Sequence, residues 1–233
     1  MIRIQFDVDP GMTGEGVTIT VCHDTEVAAS LWARHTLYDE LEAEDHGNNR
    51  PSFSPEYFDF DVDHYYKTAT QRETIAQLVG SETLADKYIG DQSSQLFLSR
   101  GHLAPNADFI FYSWQDSTFF FINVAPQWQS FNGKTYYLND QHKQRNPNTL
   151  GRHWNQFESS CRDFVIERQL DLVAYTGTSG VIELEDVNGD NVAIHLYEGT
   201  KLPVPRYYWR VLHDPEAGLG VAVVGINNPH LTV

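Results

Sequence analysis

Gln95-Leu96-Phe97-Leu98-Ser99-Arg100-Gly101-His102 reads as an apolar strand that ends on a permanent cation and a group titrating near neutrality. The glycine between them lets backbone approach closely. Downstream, Thr118 to Ile122 forms a second, aromatic strand that ends at Asn123. Two strands thus deliver polar residues at their ends. Between Gly151 and Arg168, Trp154, Phe157, Cys161, Phe164 and Val165 recur at the spacing of a buried helical stripe, with Glu158 at its edge.

The flanking sequence supplies a β framework. Val17 to Cys22 alternates and β-branches like a strand, while residues 31 to 38 suit a strand or the end of a short helix. Residues 40 to 60 read as irregular, since an acidic Gly- and Asn-containing run leads into Arg50-Pro51-Ser52-Phe53. Thr70-Gln71-Arg72-Glu73 fits a capping box for a helix that stops at Gly80, and a short helix follows over 82 to 88. Strands are predicted at 171–175, 181–185, 192–196, 207–212 and 219–224, with Asn188-Gly189 as a hairpin turn. No repeat, linker or low-complexity tract divides the chain, so the expectation is one α+β domain over residues 1–233.

Composition agrees with a packed core: 233 residues, 41% of them hydrophobic and 13% aromatic. No stretch approaches the roughly 18 apolar residues that span a bilayer, and the N-terminus lacks the pattern of a secretory signal, as a trimmed form would. Cys22 and Cys161 are too few for a disulfide framework or a four-thiolate zinc site, and two buried thiols are preferred over one bridge. The formal charge of −16 argues against a broad nucleic-acid-binding face, although a cleft needs only local positive potential.

His102 can take a proton from water while Arg100 neutralises a phosphodiester oxygen through its planar fork, so this spacing suits phosphate chemistry. As an isolated tripeptide it also fits an ordinary turn. Asn132, in Phe131-Asn132-Gly133, offers a hard oxygen of the kind magnesium accepts, and Glu158 can hold a metal-bound water. Two acidic runs compete: Asp59, Asp61 and Asp63 read as one exposed strand face, and Asp186 to Asp190 as a hairpin. Neither completes a calcium loop with a terminal glutamate.

Four segments carry a resemblance: Ser99-Arg100-Gly101-His102-Leu103-Ala104-Pro105, Phe121-Ile122-Asn123-Val124-Ala125-Pro126-Gln127, Phe131-Asn132-Gly133 and Trp154-Asn155-Gln156-Phe157-Glu158. In order and separation they resemble the DNA/RNA non-specific endonuclease family, the ββα-metal (His-Me finger) nucleases of the Serratia nuclease type. Arg50-Pro51-Ser52-Phe53, Ala107-Asp108-Phe109, Pro126 to Asn132 and Val224 to His230 are most similar to its arthropod secreted branch, the insect double-stranded ribonucleases and crab duplex-specific nuclease.

The resemblance implies a ββα-metal core on a mixed, largely antiparallel sheet. It implies Mg²⁺ as cofactor, with Mn²⁺ or another divalent ion able to substitute. DNA or RNA is the implied partner, gripped mainly through its phosphate backbone, with no membrane and with extracellular residence. His102 becomes the general base, Arg100 a phosphate and transition-state contact, Asn132 the direct metal ligand and Glu158 the holder of metal water. Asn123 is expected beside His102, orienting it or the phosphate, and Arg50, Gln127 and Lys134 are weaker candidates for substrate contact. A fold retained without turnover, leaving a nucleic-acid-binding module, is the alternative.

Two departures stand out. Ser99 occupies a position that is aspartate in bacterial members, and an insert over residues 135 to 152 lies between the metal asparagine and the Trp154 helix. The insert brings Asp140 to about the spacing an uninterrupted motif would use, but Trp154 and Phe157 match the family helix and favour Glu158. Lys134, Lys143, Arg145 and Arg152 outnumber Asp140 from Lys134 to His153, so the insert is expected to form a basic lip.

Overall fold

The computed structural model describes residues 2–5, 18–41, 50–91, 93–133 and 154–230, without the side chains of 2–5 and Thr18. Lys134, Asp140 and the basic insert lie outside the described residues.

Six strands form one antiparallel sheet: β1 (Ile2–Gln5), β2 (Thr18–Asp24), β3 (Ala29–Leu37), β6 (Leu172–Val181), β9 (Pro205–Asp214) and β10 (Leu219–Ile226). They are hydrogen-bonded in that order, and its central seam pairs β3 with β6, from Trp32 opposite Gly177 to Leu37 opposite Leu172. β-branched and aromatic residues are frequent in these strands, as a pleated, half-buried surface favours. Two small ladders accompany the sheet: β4 (Leu98–His102) with β5 (Val124–Trp128), and β7 (Glu183–Glu185) with β8 (Asn191–Ala193). The one parallel bridge among the described residues joins Ser54 to Phe120.

Helices α1 (Val62–Tyr65), α2 (Thr68–Val79) and α3 (Glu82–Tyr88) precede β4. α2 starts ahead of the expected capping box: Lys67 is its N-cap and makes no side-chain cap bond. Gly80 ends it as expected, at φ +71°, where a side chain is disfavoured. α4 (Tyr112–Asp116) and α5 (Gln129–Asn132) are short, and α6 (Trp154–Arg168) is the long helix of the C-terminal half.

The main apolar cluster runs from Ile19 and Val21 on β2, through Ile75 and Val79 on α2, to Phe121, Trp128, Trp154 and Tyr208. A second one holds α6 against the sheet through Cys161, Val165, Leu37, Leu172, Ala174 and Leu212, and Phe157 touches both. The buried positions of α6 are Trp154, Glu158, Cys161 and Val165, spaced four, three and four. Glu158 therefore sits within the buried stripe rather than at its edge, and Phe164, counted as apolar stripe, is 43% exposed. Both thiols are free, Cys161 buried and Cys22 partly so, as preferred from sequence.

Several expectations shift. Residues 31–37 of the 31–38 stretch belong to strand β3, which removes the helical option. Leu98 to His102 forms the ladder, whereas Gln95, at φ +57°, lies in the turn before it. Thr118 to Ile122 does not make a strand: Phe121–Asn123 is a 3-10 turn, and β5 begins only at Val124. Its phenylalanines fill the core instead of extending a sheet, because the Asn123 amide ties the turn to backbone on both sides. Asp59, Asp61 and Asp63 do not line a strand face. The chain bends there, and the Asp61 side chain caps α1 by accepting from the His64 N–H. Asp186 to Asp190 makes the expected turn, with Asp186 Oδ1 accepting from Asn188 and Asp190 N–H groups and Gly189 at φ +83°.

Candidate active site

The β4–β5 ladder organises the predicted site. Its register sets Arg100 opposite Pro126 and His102 opposite Val124, so these side chains leave one face of the hairpin. Ser99, Gly101 and Gln127 occupy the other. Gly101 is required there, because a Cβ would meet the Gln127 Cβ at 2.5 Å.

On the first face, the half-buried His102 ring lies 5.3 Å from both Phe53 and Phe119, edge-on to the latter. Its Nε2 is enclosed and has no hydrogen-bond partner among the described residues. Burial, reinforced by the charge of Arg50, holds its pKa down at about 3, so the imidazole is neutral and has a lone pair to offer. Arg50 is exposed and stands over the Phe119 ring at 5.9 Å. Arg100 is caged by Phe53, Tyr66 and Phe121 at 5.5, 5.2 and 5.5 Å, and a terminal nitrogen donates to Asp63. Three predicted site residues, Arg50, Arg100 and His102, thus share one aromatic-walled face.

On the second face, α5 follows β5 directly and returns Asn132 to β4: its Nδ2 donates to Ser99 Oγ at 3.1 Å, and that hydroxyl donates to the Gln127 carbonyl. Among the described residues no donor meets the Asn132 carbonyl oxygen, which leaves it to accept a cation. Phe131 packs on Trp154 at 5.4 Å and both pack on Tyr208, which holds α5 against the start of α6. Glu158 lies one turn beyond Trp154. The donor set fits a hard divalent ion: one amide oxygen whose orientation is fixed and one carboxylate on the neighbouring helix. No hydrogen bond joins His102 to Asn132 or to Glu158 among the described residues.

Glu158 belongs to a buried charge cluster. Asp108, in the 3-10 turn Asn106–Asp108, receives Arg210 from β9 at 2.6 Å, His35 from β3 at 2.8 Å and Arg162 from α6 at 3.0 Å. Burial works to raise the Asp108 pKa, but Arg210, His35 and Arg162 overrule it and hold the carboxyl far below its ordinary range. An ionised carboxylate only accepts, so His35 Nε2 carries the proton of their bond. Burial pushes Glu158 up to about 7, opposed by Arg210 and Arg162 and helped by Asp108.

Two predicted site residues, Asn123 and Gln127, lie buried. Asn123 is fully buried and its amide is spent on backbone: Oδ1 accepts from Ala104 N–H, and Nδ2 donates to the Ala104 and Thr118 carbonyls. It shapes the loop after His102 and reaches neither the ring nor solvent. Gln127 is also fully buried, with both amide atoms unpartnered among the described residues, which removes it from direct contact with a polymer outside.

Sequence reading missed Ser99 as the anchor of Asn132, Asp63 as the partner of Arg100, and the Asp108 cluster. The acidic run at 59–63 was visible but assigned to a strand. Asp108 stood in a quoted motif without a role, and nothing near Arg210 or His35 in the chain points to it. The one group of three acidic side chains near enough to share an ion among the described residues, Asp39, Glu40 and Asp171, contains none of the predicted site residues.

The family model described as DNA/RNA non-specific endonuclease matches residues 12–233. A salivary endonuclease of Lutzomyia longipalpis is 29% identical over 214 residues, covering 90% of this chain and 45% of that protein. The salivary protein Tsal1 of Glossina morsitans morsitans is 26% identical over 182 residues, covering 77% and 39%. The chain therefore spans less than half the length of these relatives. Among solved structures, the EndoG/EndoGI inhibition complex aligns with a TM-score of 0.48 at 15% identity, over 95% of this chain and 76% of that one. NucA from Streptococcus agalactiae with no metal bound aligns at 0.46 and 12% identity, over 96% and 76%.

Proposed function

Because the chain belongs to the DNA/RNA non-specific endonuclease family, we propose that it is a divalent-metal-dependent endonuclease that hydrolyses phosphodiester bonds of DNA or RNA to 5′-phosphorylated products. The observation that carries this reading is the β4–β5–α5 unit, one face of which presents a neutral imidazole and a caged guanidinium while Ser99 on the other face orients an amide oxygen.

His102 takes a proton from the attacking water, which the ring can do because it is neutral. Phe53 and Phe119 fix the ring plane, so the lone pair is directed without a hydrogen bond to a second residue. Arg100 binds a non-bridging phosphate oxygen through its N–H edge, while its faces stay covered by rings. Arg50 adds positive charge at the rim of the same face. Asn132, through Oδ1, and Glu158 are the residues that would hold a divalent ion and its water. Mg²⁺ held there would supply Lewis acidity for the departure of the leaving oxygen. Mn²⁺ can replace it, since both accept hard oxygen donors.

Polymer is gripped mainly through phosphates, and the chain works outside the cell, a reading supported by the salivary names of its relatives. The test is digestion of plasmid, duplex RNA and single strands with Mg²⁺ and with chelator, for the parent and His102→Ala. Shortening that needs metal and His102 supports the proposal, whereas a shifted band of unchanged length replaces it with a binding module.

A further inference from the structure

Asp63 projects from α1 and places a carboxylate oxygen on a terminal guanidinium nitrogen of Arg100. Phe53, Tyr66 and Phe121 cover the guanidinium within 5.5 Å, so recognition of an anion falls to its N–H edge. That edge is where Asp63 sits. A carboxylate brings the same features as a phosphodiester: one negative charge and two acceptor oxygens in a plane that matches the fork.

We propose that Asp63 is a substrate-mimicking latch, a specificity-determining residue that occupies the phosphate position at Arg100 until a polyanion displaces it. This rests on the reading of Arg100 as a phosphate contact. Displacement is easy: the Asp63 side chain is 50% exposed and that of Arg100 30%, and an ion pair so wetted is worth roughly 1 kcal/mol or less. The neighbouring acids are engaged otherwise. Asp59 meets Lys201 at 3.7 Å, and Asp61 caps its own helix. Only Asp63 of this run is aimed at the site. A single phosphate gains little by exchanging one anion for another on Arg100, whereas a polymer that also engages further cations wins the exchange. The latch therefore selects long chains over mononucleotides and free phosphate.

The experiment measures binding of a fluorescently labelled DNA duplex by anisotropy in chelator, and KM and kcat with Mg²⁺, for the parent, Asp63→Asn, Arg100→Ala and the double variant. Asp59→Asn removes the same formal charge nearby and serves as the comparison. Asp63→Asn is expected to tighten duplex binding and lower KM about three- to fivefold at low salt, with the gap closing as salt rises. In the Arg100→Ala background the gain should vanish, and Asp59→Asn should give less. Weaker binding by Asp63→Asn would make the aspartate a mere positioner of Arg100. A gain that persists without Arg100, or is matched by Asp59→Asn, would reduce it to bulk charge. Either result overturns the latch. If the parent binds but fails to cut with Mg²⁺, the proposed function falls while the binding ratios still decide the latch.

Discussion

Replacing Glu158 by glutamine should make the metal-free protein more stable above neutrality and leave it unchanged near pH 4. Glu158 is 6% exposed, and burial lifts its pKa from the ordinary 4.5 to about 7 despite Arg210 and Arg162. A carboxyl with a raised folded-state value holds its proton longer in the fold than in the unfolded chain. Stability therefore falls as pH climbs from about 4.5 to 7 and stays lowered beyond. At ~1.4 kcal/mol per pH unit, that interval amounts to about 3 kcal/mol, which a neutral amide of the same shape escapes. Urea unfolding followed by tryptophan fluorescence, from pH 4 to 9 with chelator, would compare the two proteins. The expected gain is about 2–3 kcal/mol at pH 8.5, shrinking to nothing at pH 4. Mg²⁺ should then stabilise the parent more than the variant, since ion binding to the fold offsets the buried charge. A difference independent of pH, or a variant less stable at pH 8.5, would refute the reasoning.

Three further outcomes follow from the same geometry. Asp108→Asn removes the charge shared by Arg210, His35 and Arg162 and should cost about 3–5 kcal/mol in urea unfolding at pH 7; a loss under about 1 kcal/mol would mean the cluster is not coupled. With His102 held at about 3 by burial and Arg50, its base form persists well below pH 6.5, so kcat/KM should show no acid limb from this group near neutrality; Arg50→Ala should move that limb upward in a pH–rate profile. Ser99→Ala frees the Asn132 amide to rotate and should weaken divalent-ion binding about tenfold by titration calorimetry, whereas unchanged affinity would show that Ser99 does not orient the ligand.

The legible part of this fold was periodic. Strands rich in β-branched residues, helix α3, the stop at Gly80 and helix α6 were each visible because local pattern and tertiary burial agree there. The segment from Thr118 to Asn123 was misread for a physical reason: aromatic residues favour strands on average, but here one buried amide closes a turn and the rings are worth more in the core. Glu158 stood at the stripe edge in the sequence pattern, and Arg162 one turn on in α6 together with Arg210 from distant β9 makes its burial tolerable. Chemistry-bearing residues were found through motif order. Their partners were not, since Asp63, Asp108 and Arg210 meet the site only through the fold.

The central seam of the large sheet has a consequence for synthesis. Trp32 pairs with Gly177, so everything from α1 to α6 must leave the ribosome before the two halves of that sheet can join. During that interval β2 and β3 lack β6, and the phenylalanines at 119–121 have only part of the core that later shields them. Refolding from denaturant should accordingly be slow and sensitive to protein concentration, with aggregation competing until β6 and β9 arrive.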